Sequence, residues 1–234
     1  MGDKMKQYSK LKDMYKGSPL LVCGNGPSLK DVPVELFKKY PVMGSNSVYT
    51  HQYLNDNPVD WYVLEGLGHL KTEEERNARI PYIRKVAKNK GFTAVNRRAI
   101  QYFQHLDNVY TVDYVNERGQ QFRNFDFNPF LYFGSGHCVT ATMLQLAYFL
   151  TTGPVLLVGL DHKFSGNSWH YYEDELAPEF VSMPKSEYQK FRMRVDPFFE
   201  QVASVYKETD RKLINLTPKS EARMFTAGEY KDWI

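Results

Sequence analysis

The sequence predicts an α/β protein: a Rossmann-like, mostly parallel sheet with helices on both faces, folded as a single domain over residues 1–234. Three observations predict it. Short apolar runs that stop at glycine or a small polar residue alternate with stretches of helical period along the chain. No internal repeat or low-complexity segment interrupts them. The 234 residues, 42% hydrophobic and 15% aromatic with 17 Tyr and 15 Phe, suffice to bury one core and are too apolar for a disordered chain.

Residues 1–17 read as a leading basic helix. Its stretch 4–16 is mildly amphipathic, suited either to solvent or to resting on an acidic membrane surface. Residues 19–23 are an apolar run ending at Gly24, as a buried parallel strand does, and residues 28–40 read as a polar turn and a short helix. Val42–Ser45 and Trp61–Leu64 are two further strands. Between them, residues 51–60 gather Asn, Asp and Pro and predict a loop or short helix. Residues 71–90 place charged and apolar positions at helical spacing, and residues 93–95 follow as a strand. Residues 113–131, rich in Asn, Arg, Phe and Gly without a period, read as a long loop of the kind that orders over a ligand.

An apolar helix over 138–149 comes next, then a strong strand Val155–Val158 that stops at Gly159. An irregular polar stretch runs to Pro184, followed by a charged amphipathic helix over 187–209 and a final strand Leu213–Asn215. In such sheets ligands bind beyond the carboxyl ends of the strands, so the functional residues are expected just after each strand.

Composition narrows the classes. Thirty basic and 27 acidic residues give a net charge of +3, too even for a nucleic-acid binder that works by neutralising phosphates. No apolar run approaches the roughly 18 residues of a membrane span; the longest candidate is residues 155–160. Cys23 and Cys138 are expected at a buried strand end and a buried helix start. With no secretory signal ahead of them, they fit a reducing, cytosolic setting. A homo-oligomer and a peripheral contact with the inner face of the membrane are both compatible with this composition.

The candidate chemistry follows the strands. Gly24, Asn25, Gly26, Pro27 and Ser28 form a tight turn whose backbone N–H groups suit a phosphate, the other reading being an ordinary strand-to-helix turn. It is neither the six-residue dinucleotide fingerprint nor a P-loop. Asn46, between Ser45 and Ser47, stands where a ribose, base or sugar would be hydrogen-bonded, or serves as a cap. Glu65 either meets a ligand hydroxyl or amine or points to water. Ser135 and Gly136 begin the central helix as anion donors or as an N-cap, without the Gly-x-Ser-x-Gly spacing of a serine hydrolase. Gly159, Asp161, His162 and Lys163 put an acid, an imidazole and an amine after the strongest strand. No Cys/His/Asp cluster at metal spacing accompanies them, so no metal site is expected. His170 lies in an aromatic run with Trp169, Tyr171 and Tyr172, suited to acid–base work or to packing. Thr217 and Ser220, with Lys219, serve phosphate or simply form a turn.

Four stretches, in order, resemble a known group: residues 21–29 (LVCGNGPSL), Gly134-Ser135-Gly136, residues 157–162 (LVGLDH) and residues 215–220 (NLTPKS). The chain is similar to the bacterial sialyltransferases that build lipooligosaccharide, and more so to the central domain of flagellar motility accessory factors. Archaeal-type 6-hydroxymethylpterin diphosphokinases belong to the same broad group. The resemblance implies a Rossmann-like variant of the GT-A fold, with Asn25, Asn46 and Ser135 contacting a CMP-sugar donor and no metal required. The chain departs from that pattern where the leaving-group tyrosines of those enzymes fall near Lys163 and Trp169. Its sole histidine beyond Lys163 is His170.

The expected function is therefore a metal-independent glycosyltransferase. It would move a sugar, of the sialic or wider nonulosonic acid class, from a CMP-linked donor to a glycan or other hydroxyl acceptor. His170 or His162 would take the acceptor proton, while Lys163, Ser135 and the first turn would hold the phosphate. One alternative is an ATP-dependent pterin diphosphokinase, which needs Mg²⁺ with Glu65 and Asp161 as ligands. Another is a nucleotide-sugar-binding protein without turnover.

Overall fold

A computed structural model describes residues 10–64, 72–103, 105–106, 108–112, 138–163 and 185–234 of the chain. Its strands are β1 (Leu20–Cys23), β2 (Val42–Ser45), β3 (Trp61–Leu64), β4 (Phe92–Asn96), β5 (Val109–Val112), β6 (Val155–Val158), β7 (Leu213–Asn215) and β8 (Thr226–Ala227). Its α-helices are α1 (Val34–Lys39), α2 (Gln52–Asp56), α3 (Glu73–Lys88), α4 (Val139–Leu150) and α5 (Lys185–Glu208). Short 3-10 turns at Pro27–Asp31 and Asn46–Thr50 follow β1 and β2.

The eight strands form one sheet in the order β5-β4-β3-β2-β1-β6-β7-β8, and every neighbouring pair is parallel. The α/β, Rossmann-like expectation holds. Alternation along the strands explains the two covered faces. Leu20, Val22, Trp61, Val63, Val155 and Leu157 point to the side of α4 and α5, where they meet Met143, Leu144, Val195, Phe198 and Phe199. Leu21, Cys23, Tyr62, Leu64, Leu156 and Val158 point to the opposite side, against Leu36, Phe37, Leu54, Ile83 and Val86. Helix α4 is apolar nearly all round because ten of its twelve residues are buried, between the sheet and α5.

Three elements differ from expectation. Over their described part, residues 10–17, the leading residues form consecutive turns, not a solvated helix. Leu11 is buried there, and the N–H groups of Asp13 and Tyr15 donate to the carbonyls of Phe149 and Leu150, so this stretch covers the end of α4. Strand β5 was not anticipated; it is an edge strand with only Val112 fully buried. The chain also adds a strand beyond Leu213–Asn215, the two exposed residues of β8. Cys23 is buried at the end of β1 as expected, whereas Cys138, at the N-cap of α4, is half-buried; both are free thiols. No described helix is long and apolar enough to cross a membrane.

Candidate functional site

From β1 the chain steps outward through β2 to β5, then returns to place β6 on the other side of β1. The carboxyl ends of β1 and β6 therefore flank a topological switch point, where open α/β sheets leave a crevice. Two loops meet there, residues 24–28 and residues 159–163. The Gly26 N–H donates to the Gly159 carbonyl at 2.8 Å. A Cβ on Gly26 would lie 2.2 Å from Asp161 Oδ2 and 2.7 Å from Gly159 O, and Gly159 itself has φ +66°. Both glycines are thus needed for the loops to touch.

The contact changes the reading of the first turn. Asp161 is 5% exposed, and its Oδ2 accepts the Ser28 N–H at 3.2 Å and the Ser28 hydroxyl at 2.8 Å. Two of the donors expected to cradle a phosphate, the Gly26 and Ser28 N–H groups, are engaged by Gly159 and Asp161, while Gly24 and Gly26 also line the cleft. A phosphate close to Asp161 would meet like charge, and Gly26 and Ser28 join the two loops.

Behind the loop, Thr217 and Ser220 brace it. Thr217 Oγ1 accepts the Leu160 N–H at 2.9 Å. The Ser220 hydroxyl donates to the Leu160 carbonyl at 2.5 Å and accepts from Asn215 Nδ2 at 3.0 Å and the Ala222 N–H at 3.1 Å. Neither residue lines the cleft, and both hydroxyls are used within the protein.

The cleft itself gathers Asn25 and Asn46 on one side and Asp161, His162 and Lys163 beneath. Cys138, Val139 and Thr140 at the start of α4 also line it. Asn25 is buried and donates from Nδ2 to the Ser45 carbonyl at 3.2 Å, tying the end of β1 to that of β2. Asn46 adopts the left-handed conformation, φ +49°, which asparagine tolerates better than most side chains. Its carbonyl accepts from the Tyr62 hydroxyl. Its Oδ1 is buried with no hydrogen bond among the described residues, an acceptor that a ligand donor would satisfy. No described carboxylate pairs with Lys163 across the cleft.

His162 also has a positive φ, +49°, and its side chain is 4% exposed. Its Nε2 lies 2.5 Å from Asp196 Oδ1 on α5. Arg192 Nε donates to the other oxygen of Asp196 at 3.2 Å, and Arg192 Nη1 reaches Glu221 at 2.9 Å. Burial lowers the His162 pKa below the usual histidine value; Asp196 and Glu221 pull it up, and the Arg192 cation offsets part of that pull.

Sequence reasoning missed this partner and the wall it stands on. Tyr188, Phe191, Val195 and Phe199 recur at helical spacing along α5 and line the cleft together. Tyr188 brings a phenol to this wall, and burial pushes its pKa up. The signal was an apolar stripe carrying one hydroxyl at its amino-terminal end. Glu65, Ser135, Gly136, His170 and the loop 113–131 lie outside the described residues.

No protein-family model and no curated protein sequence matches the chain. Among solved structures, a MAf glycosyltransferase from Magnetospirillum magneticum AMB-1 is similar, with a TM-score of 0.58 and 14% identity over 99% of this chain. The chain spans 39% of that protein's length. At this identity the similarity is one of fold: the Rossmann-like sheet described above is shared with a segment of a glycosyltransferase.

Proposed function

We propose that the chain is a glycosyltransferase that moves a sugar, of the sialic or wider nonulosonic acid class, from a CMP-linked donor to a hydroxyl acceptor without a metal. One observation carries the reading: Asn25, Asn46, His162 and Lys163, drawn from the ends of three strands, converge on one cleft at the switch point of the sheet. The fold shared with a MAf glycosyltransferase supports it. In this reading Asn46 Oδ1 accepts a hydrogen bond from the nucleoside. The Lys163 ammonium, the backbone N–H groups at the start of α4 and Ser135 hold the departing phosphate, which moves the phosphate away from the first turn. His162 or His170 takes the acceptor proton.

Calorimetric titration of CMP, CDP and ATP, each with and without Mg²⁺, tests the proposal. It expects CMP to bind without metal. Mg²⁺-dependent ATP binding with no CMP signal would replace the transferase with the diphosphokinase alternative. CMP binding with no sugar transfer across a broad acceptor panel would leave a nucleotide-sugar-binding protein.

A further inference from the structure

The geometry points to Asp196 as a positioning residue: it holds His162 with the proton on Nε2, leaves Nδ1 as the basic nitrogen, and so makes His162 the proton acceptor of the transfer proposed above. The inference rests on that transferase reading for its chemistry and on separate geometry for its tautomer.

His162 sits four residues beyond β6, in a left-handed backbone conformation that costs an ordinary residue on the order of 1 kcal/mol. Surrounding contacts hold it there. Its ring lies 5.5 Å from that of Phe199, and Nε2 is 2.5 Å from Asp196 Oδ1. The carboxylate is itself fixed. Arg192 Nε holds its second oxygen, Glu221 holds Arg192 through Nη1, and the Glu221 N–H donates to the Asp161 carbonyl at 2.9 Å. The chain of contacts leaves α5 and closes back onto the loop that carries His162.

A carboxylate only accepts, so the neutral imidazole facing it must carry its hydrogen on Nε2, and the lone pair falls to Nδ1. Burial lowers the ring's pKa below the usual histidine value, which favours the neutral form. Among the described residues, the charged and titratable groups around it are Asp196, Arg192 and Tyr188 from α5, Glu221 from the segment after β7, and the adjacent Asp161 and Lys163 of its own loop. In the transfer, Nδ1 takes the proton of the acceptor hydroxyl while that oxygen forms a bond to the anomeric carbon. The bond from the anomeric carbon to the phosphate oxygen breaks, and its electron pair leaves on CMP. Asp196 then faces an imidazolium, whose charge it stabilises.

Long-range ¹⁵N–¹H correlation spectra of the histidine rings test the tautomer without any need for turnover. Wild-type protein is expected to show His162 as the Nε2–H form. Asp196→Asn, whose amide can donate to Nε2, is expected to shift His162 toward Nδ1–H, and Asp196→Glu to retain Nε2–H. A wild-type Nδ1–H form, or an unchanged pattern in Asp196→Asn, would overturn the inference; if that variant does not fold, the wild-type spectrum decides alone. With a CMP-linked donor, Asp196→Asn should lower kcat by about 10²-fold with little change in KM, and Asp196→Glu should recover part of it. Unchanged kcat would refute the role even with the expected tautomer. Absence of turnover in the wild type counts against the transferase, while the spectrum still decides the positioning.

Discussion

Ser28 and Asp161, 133 residues apart in sequence, are joined by two hydrogen bonds to the same carboxylate oxygen. That pair fastens the loop after β1 to the loop after β6 and places a negative charge at the mouth of a turn that otherwise resembles an anion cradle.

Breaking this pair should cost stability in a graded way. Ser28→Ala removes one hydrogen bond to a charged group and is expected to cost about 1.5–3 kcal/mol. Gly26→Ala should cost more, since its new Cβ would lie 2.2 Å from Asp161 Oδ2 and 2.7 Å from the Gly159 carbonyl and would part the loops. Urea denaturation midpoints check the order. A Gly26→Ala protein as stable as the wild type would contradict the described contact.

Asn46 offers a cleaner probe of binding. Because its φ is +49°, Asn46→Gly keeps the backbone comfortable while deleting the amide that faces the cleft. Stability should change by less than about 1 kcal/mol, while CMP affinity should fall about tenfold, as expected for one lost hydrogen bond. Equal affinities by calorimetry would remove Asn46 from the binding site.

Two buried histidines give a pH dependence with a definite sign. Burial lowers the pKa of both His162 and His51 in the folded protein. In the unfolded chain they take up protons near pH 6.5. Just below that pH the unfolded state binds more protons than the folded one, so their contribution is complete above about pH 6.5 and is lost as the pH falls through their folded pKa values. Denaturation midpoints measured at about pH 7.5 and 5.5 should fall with acidity, and His162→Gln should reduce the slope. A slope of opposite sign would show that Asp196 dominates over burial.

Arg211 closes the carboxyl end of α4. Its Nη1 donates to the Tyr148 and Thr151 carbonyls, and its guanidinium lies 3.7 Å from the centre of the Tyr148 ring. Arg211→Ala should cost about 1–3 kcal/mol, and Arg211→Lys should recover less than half because an ammonium lacks the planar fork. Thermal unfolding of the pair measures both.

The sheet was legible in the sequence where strands are buried on both faces. The apolar runs of β1 and β6, each ending at a glycine, and the largely apolar α4 left little ambiguity. Strand β5 escaped because three of its four residues are only half-buried, and β8 because two exposed residues carry no pattern. For the site, the rule that ligands gather beyond strand ends pointed to the loops that line the cleft. It could not foresee that Asp161 turns to Ser28, nor that His162 turns to Asp196, 34 residues on, because both pairings depend on strand order and helix placement. The glycines of the first turn line the cleft, and they also pack against the neighbouring loop, a contact that the spacing of the turn did not reveal.

The placement of β6 beside β1 also bears on how the chain is made. Growing from its amino end, the polypeptide can pair β1 through β5 while one flank of β1 stays bare. Leu20–Cys23, four fully apolar residues with open N–H and C=O groups, then await a partner more than 130 residues downstream. Until Val155–Val158 arrives, that flank is a template for another copy's strand. The step that completes the cleft is thus also the step that covers this flank of β1, and the open edge passes to β6 until β7 pairs with it.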